Sequence, residues 1–268
     1  MAALGVYGAG LIIRTAGKGC RVMNLLRPGE RLDDLLVSNL RIIQDASAFC
    51  FSMDAVLLSH FATLRQGDSV VDLGTGTGII PLLLTTRAKL KHLIGIELQP
   101  QVVERTQRSV KLNALQDKIE IICGDLRQIE QLLPGFRVNL VTSNPPYLPL
   151  GDGQVSLTSQ QAIARHEVCC QLEDVARAAS YLLGTGGRFA LVHRPHRLTE
   201  IFHWLNKFKL EPKRLRLVYP RAGLEPNMVL IESVRDARPG LKILPPLFVY
   251  EGDNYTPEVT ALYFREGV

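Results

Sequence analysis

A chain of 268 residues, 46% hydrophobic and 21% charged, can bury one substantial core. No apolar run reaches the length of a membrane span, and the formal charge of +5 favours an anionic partner without naming it. The five cysteines, Cys20, Cys50, Cys123, Cys169 and Cys170, show no C-x-x-C metal spacing, and an odd number with no secretion signal fits a reduced, cytoplasmic protein.

In chain order, residues 1–22 hold apolar patches and several glycines, but Arg14 closes the short Leu11–Ile13 run and no cleavage pattern follows. They read as a poorly ordered N-terminal extension ahead of a single domain over 23–268. The first strong signal is an apolar strand, Ser69–Leu73, running into three alternating glycines, Gly74, Gly76 and Gly78. An apolar helix follows with Pro81 in its first turn, where a missing N–H costs little. Glycines let backbone turn tightly and approach a ligand without Cβ interference. Asp72, two residues before Gly74, would repel a pyrophosphate at the helix N-terminus. A cofactor with a cationic amino-acid end tolerates that carboxylate, and zwitterionic S-adenosylmethionine is such a molecule.

The second strand, His92–Glu97, ends in an acid placed to accept ribose hydroxyls, as in other nucleotide-binding α/β folds. A helix is predicted over Pro100–Leu115. The third strand, Ile119–Cys123, ends at Gly124-Asp125, where Asp125 can partner an adenine amino group. Any one of these acids could equally be a solvated loop carboxylate; acids at successive strand ends, in order, are harder to dismiss.

Leu140–Ser143 reads as a short buried strand closed by Asn144-Pro145-Pro146-Tyr147. The prolines end the ladder because neither donates a backbone hydrogen bond. An Asn amide, a proline carbonyl and a Tyr ring at a strand's carboxyl edge suit a planar amine, with two acceptors for its N–H bonds and an aromatic face for stacking. An ordinary strand-to-loop turn would use similar residues. Further on, Leu172, Val175, Ala176, Ala179, Leu182 and Leu183 follow helical spacing, and Gly184 with Gly186-Gly187 stops that helix. Arg188–Val192, Leu215–Tyr219 and Asn227–Val234 complete seven strands alternating with helices, an α/β pattern.

Between Arg194 and Arg221 the bases Arg194, Arg197, Lys207, Lys209, Lys213, Arg214, Arg216 and Arg221 face only Glu200 and Glu211. With Phe202, Trp204 and Phe208 interleaved, this strip matches a footprint for a phosphate backbone, or else a solvated helix face with core aromatics. His193 and His196, flanking Pro195, read as structural.

Asp72–Gly78, Glu97, Asp125 and Asn144–Tyr147 together resemble class I S-adenosylmethionine-dependent methyltransferases whose target is an exocyclic or amide nitrogen. Arg31–Leu36, Leu40–Gln44, Phe51–Leu58, Ala164–Glu167, Val192–Pro195, Pro220–Gly223, Asn227–Glu232 and Pro246–Glu251 look like the bacterial tRNA (adenine-37, valine tRNA) N6-methyltransferase family. The resemblance implies a Rossmann-like fold, a seven-stranded mostly parallel sheet with helices on both faces. It implies S-adenosylmethionine held by Asp72, Gly74, Gly76, Gly78, Glu97, Asp125 and Asn144, with Asn144, Pro145, Pro146 and Tyr147 at the reacting amine. It implies a tRNA substrate, with no metal and no membrane; the pattern carries no signal of oligomeric state. Release-factor glutamine N5-methyltransferases share the four-residue motif but carry an N-terminal helical domain, for which little room precedes Asp72. Ribosomal guanine N2-methyltransferases more often place Phe after the prolines. A non-catalytic RNA-binding module is disfavoured by the intact glycines, Asn144 and Tyr147.

Overall fold

In the computed structural model, residues 25–45, 53–145 and 170–263 are described. The N-terminal extension, Pro146, Tyr147, Ala164–Glu167 and the cysteines at 20, 50 and 169 lie outside them.

Strands β1 (Glu30–Asp34) and β2 (Arg41–Asp45) form an antiparallel hairpin, and α1 (Met53–Phe61) follows. Then come β3 (Ser69–Leu73), α2 (Ile79–Leu84), β4 (His92–Glu97), α3 (Pro100–Leu112) and β5 (Ile119–Cys123). A short helix α4 (Ile129–Leu132) leads to β6 (Val138–Ser143). Helix α5 (Leu172–Leu182), β7 (Leu183–His193), α6 (Leu198–Lys207), β8 (Leu210–Tyr219) and β9 (Met228–Arg235) complete the alternation.

The sheet order is β5-β4-β3-β6-β7-β9-β8, and all but β9 run parallel. The seven strands read from the sequence are these seven. Two short strands, β10 (Lys242–Ile243) and β11 (Leu247–Phe248), extend the β8 edge, and a small hairpin, β12 (Tyr250–Glu251) with β13 (Asn254–Tyr255), precedes α7 (Pro257–Tyr263). Residues of β3, β4 and β6 are buried on both faces, as a parallel sheet covered by helices requires. One core joins Val70, Leu93 and Leu140 to α1, α2 and α3; the other joins Val71, Ile94 and Val141 to α5 and α6.

One sequence expectation is corrected: the helix from Pro100 stops at Leu112, not Leu115, because Ala114 turns left-handed at φ 54° just past the Asn113 cap. The helix before Gly184 ends at Leu182, as the glycines predict. They are the first residues of β7, and the register against β6 shifts between Val138 and Leu140, a bulge that glycines accommodate. The hairpins and β10 and β11 carry too little apolar alternation to stand out in the sequence.

Chain connections leave β3 toward β4 on one side and β6 toward β7 on the other, so the sheet reverses its winding between β3 and β6. Ligands of open α/β sheets settle in the crevice beyond the carboxyl ends of strands at such a point.

Candidate cofactor and acceptor site

Cross-strand register pairs Leu73 with Ile96, Leu73 with Ser143, and Glu97 with Cys123. The residues at or just beyond these ends, Gly74, Glu97, Asp125 and Asn144, therefore line neighbouring strand termini. The sequence placed its candidate residues at successive strand ends, and the fold gathers the described ones onto one edge.

The glycine turn is pinned to β4 by Gly74 N and Thr75 N, both donating to the Ile96 carbonyl at 2.9 Å. Gly74, Gly76 and Gly78 take φ of 70°, 53° and 79°, left-handed values that strain any Cβ-bearing residue. A Cβ on Gly74 or Gly76 would meet nothing within 4 Å, so open space lies beside these two. Gly78 differs: a Cβ there would fall 2.5 Å from Thr106 Cγ2 on α3. Its missing side chain serves helix packing rather than ligand approach.

Glu97 is 7% exposed. Its Oε2 accepts from Gly76 N at 3.0 Å and its Oε1 from Gln99 N at 2.9 Å. Burial raises its pKa, against the backbone donors that lower it. An ionised carboxylate offers about four lone-pair sites; the Leu98 N–H and the Gln99 side chain also act on it, so a pair of hydroxyls would share its oxygens with these donors.

Asp72 is wholly buried, and Thr142 Oγ1 donates to its Oδ1 at 2.6 Å. Burial pushes its pKa up to about 7; the Thr142 bond and the Thr75 hydroxyl oppose this, and the nearby Glu97 charge adds to it. Thr75 acts from nearby, and among the described residues Asp72 Oδ2 has no hydrogen-bond partner. A buried carboxylate with an unpaired oxygen favours a cationic ligand group in the crevice above it.

Asp125 also has a local part. Its Oδ1 caps a 3₁₀ turn by accepting from Arg127 N at 2.9 Å, and the Arg127 guanidinium grips both carboxylate oxygens. The Arg127 bonds hold its pKa below the usual carboxylate range. It stays at the rim of the same edge, half-buried, with its oxygens oriented by Arg127.

Beyond β6, Ser143 is buried and its hydroxyl donates to the Leu73 carbonyl at 2.9 Å, tying the strand end that carries Asn144 to the one that carries Gly74. Asn144 is half-buried and Pro145 is buried. In sequence Thr142 and Ser143 are ordinary strand formers and Thr106 an ordinary helix residue; no pattern signal marks hydroxyls that reach across strands or helices.

The basic strip does not form one surface. Lys207 and Lys209 sit just before β8, Arg221 beyond its far end, about 30 Å away for ten extended residues. Lys207 lies over Trp204, which with Phe202 and Phe208 packs on the α5–α6 core. Arg214 lies over Phe61 against the opposite core. Five of the eight bases are paired with acids among the described residues: Arg197 with Glu200 at 2.7 Å, Lys207 with Glu173 at 2.7 Å, Arg214 with Glu232 at 3.0 Å, Arg216 with Glu258 at 2.6 Å and Arg221 with Asp253 at 3.3 Å. His193 is buried, its Nδ1 accepting from Arg194 N at 2.8 Å, and burial lowers its pKa to about 3. It is a neutral, structural histidine.

No helix among the described residues is long and apolar enough to cross a membrane.

Comparison with known proteins agrees with this geometry. A model of the TRM5/TYW2 methyltransferase domain matches residues 51–148, which span the glycine turn through the Asn144 motif. The chain is 32% identical over 197 residues to a tRNA1(Val) (adenine(37)-N6)-methyltransferase of Porphyromonas gingivalis, covering 71% of this chain and 76% of that one. It is 28% identical over 223 residues to the protein of that name from Tolumonas auensis, covering 82% and 91%. Among solved structures, a predicted O-methyltransferase from Agrobacterium tumefaciens superposes with a TM-score of 0.66 at 25% identity over 81% of this chain and 98% of that one. With a relative above 30% identity aligned over more than two thirds of its length, this α/β chain belongs to the tRNA1(Val) (adenine(37)-N6)-methyltransferase family, whose members are class I methyltransferases.

Proposed function

We propose that this protein transfers a methyl group from S-adenosylmethionine to the exocyclic N6 of an adenine in tRNA, at position 37 beside the anticodon. The observation that carries the reading is the adjacency of the Gly74–Gly78 turn, Glu97 and Asn144–Pro145 at neighbouring strand ends, in a chain of this family.

The described residues fit the cofactor. The space beside Gly74 and Gly76 admits a ligand against the backbone, Glu97 retains acceptor capacity for the ribose, and Asp72 opposes a cationic end. Asp125 accepts at the adenine rim. When bound, S-adenosylmethionine supplies an electrophilic methyl, so positioning carries most of the rate.

The acceptor needs more help. An adenine amine is a poor nucleophile because its lone pair is delocalised into the ring. Accepting one N–H at the Asn144 side-chain oxygen and the other at the Pro145 carbonyl draws the nitrogen toward tetrahedral geometry and localises that pair. Tyr147, next to Pro146 in the motif, supplies the aromatic face for the base. The Ser143–Leu73 hydrogen bond keeps the strand end that carries Asn144 in register with the cofactor turn. A proton then leaves the methylated nitrogen to solvent, and no strong general base is required. An anticodon-loop base is unpaired, which lowers the cost of splaying it out.

Purified protein with labelled cofactor, offered bulk tRNA and a peptide release factor, tests the reading. Label in tRNA, recovered on digestion as N6-methyladenosine, is the expected outcome. Label in the release factor assigns the protein to glutamine methylation instead. Label recovered as N2-methylguanosine overturns the adenine assignment.

A further inference from the structure

We infer that Thr106, on α3, is a positioning residue for the cofactor, acting through the glycine turn and touching no part of the substrate. This rests on the proposal that the turn holds S-adenosylmethionine.

Thr106 is 1% exposed. It faces the turn with both branches of its side chain. The hydroxyl donates to the Gly76 carbonyl at 2.7 Å. The methyl group crowds the place where a Cβ on Gly78 would be, 2.5 Å from that point. Gly76 N meanwhile donates to Glu97 Oε2 at 3.0 Å. So the two peptide groups of Gly76 are held from opposite sides, one by Thr106 and the other by the acid proposed for the ribose.

The Gly76–Thr77 peptide follows a left-handed glycine, whose backbone has little intrinsic preference for one orientation. Unless the Gly76 carbonyl is fixed, that peptide can rotate and carry the Thr77 N–H with it, while the preceding Thr75–Gly76 peptide is held separately by Glu97. Thr106 removes that freedom before any ligand arrives. Its helix is anchored in turn: Ile43 N on β2 donates to Ser109 Oγ at 3.0 Å, and Arg105 and Arg108 bond Glu30 on β1. The anchored helix thus sets the geometry of the glycine turn, at a residue type that serves here through its two different branches. Serine keeps the donor and loses the methyl; valine keeps the shape and loses the donor.

The test compares wild type, Thr106→Val and Thr106→Ser by isothermal titration with S-adenosylmethionine and with S-adenosylhomocysteine, alongside cofactor KM and thermal melting. Thr106→Val should weaken binding of both ligands by about three- to tenfold, the range for losing one neutral hydrogen bond, and raise cofactor KM in proportion. Thr106→Ser should recover most of that loss. Melting of both variants well above the titration temperature separates positioning from unfolding. Unchanged affinity in a folded Thr106→Val protein overturns the inference, and so does failure of Thr106→Ser to recover binding. If wild type itself binds neither ligand, the cofactor reading fails first.

Discussion

Asp72 sits in conflict with its surroundings, and the conflict is measurable. Its folded pKa of about 7 lies above the ordinary value of 3.8, because burial disfavours the charge. The folded state therefore holds that proton more tightly than the unfolded chain. Stability from this group is complete below the unfolded value and is lost as pH climbs toward 7. At about 1.4 kcal/mol per tenfold, the loss is at most about 4 kcal/mol. Asp72→Asn, which can still accept from Thr142, should make the ligand-free protein more stable than wild type at pH 8, with the gap shrinking toward pH 5. Urea unfolding at the two pH values reads this, and a gap that does not change with pH would remove the argument. The same variant should bind S-adenosylmethionine more weakly, since the carboxylate opposing its cationic end is gone. At Asn144 the expectation separates binding from chemistry. Asn144→Ala should lower kcat by a factor of about a hundred, the scale of a lost transition-state donor or acceptor, while cofactor affinity by titration stays near wild type. Retained kcat with lost cofactor affinity would place Asn144 at the cofactor and leave the amine without its acceptor.

At the scale of elements, the sequence made visible the strands that are buried on both faces. Apolar β-branched runs such as Ser69–Leu73 and His92–Glu97 are hard to read as anything but buried strands once a glycine or acid follows each. The site was legible for the same reason, because chemistry in this fold stands directly after a strand. The roles of individual glycines were not. Three alternating glycines look equivalent in sequence, and only the packing of α3 shows that Gly78 makes room for Thr106 while Gly74 and Gly76 face open space. Nor was the hairpin β1–β2 legible: its buried residues, Ile42 and Ile43 among them, do not alternate along the strands, and ion pairs to α3 add to their packing. Glu30 accepts from Arg105 Nε at 3.1 Å, from both Arg108 terminal nitrogens at 2.6 and 2.7 Å, and from Arg27 N at 2.9 Å. Burial alone would raise the Glu30 pKa; the Arg108, Arg27 and Arg105 bonds outweigh it and hold the carboxyl at about 2. With a depressed folded pKa, its contribution is present above the ordinary carboxylate value of 4.5 and fades as pH falls toward 2. Glu30→Gln should cost about 3 kcal/mol at pH 7, the low end for a broken buried pair because Arg105 keeps Asp45 and Arg108 keeps Glu104. Denaturation midpoints of variant and wild type should converge as pH falls below about 4. A constant difference down to about pH 2.5 would mean that packing, not charge, holds the hairpin.

At the scale of the whole molecule, charge counted along the chain misleads about charge presented in space. A local surplus between Arg194 and Arg221 suggested one phosphate-binding strip, yet β8 carries its two ends to opposite edges of the sheet. Lys207, Lys209 and Lys213 fall at the amino edge, where Lys207 pairs with Glu173 and Lys213 donates to the Arg238 carbonyl at 3.1 Å. Arg194 and Arg221 fall at the carboxyl edge, Arg194 after β7, next to β6, and Arg221 after β8, three strands from β6. Arg194 follows β7, with its guanidinium donating to the Asn227 carbonyl at 2.8 Å, and Arg221 opens the exposed β8–β9 loop. The Arg221 pair with Asp253, at 3.3 Å with both side chains half-exposed or more, is too weakly held to compete with a phosphate. A tRNA delivering a base to Asn144 must pass over the carboxyl edge, so its phosphates should shed their counterions and be neutralised there. Reversing Arg194 and Arg221 to Glu should therefore weaken tRNA binding and flatten the dependence of log Kd on log salt by roughly 0.7–0.9 for each phosphate no longer neutralised. Reversing Lys207, Lys209 and Lys213 together should change that slope less, although it alters more charge. Salt titrations of the two multiple variants decide between the edges, and a larger slope change in the lysine variant would put the RNA on the amino edge, away from the acceptor loop.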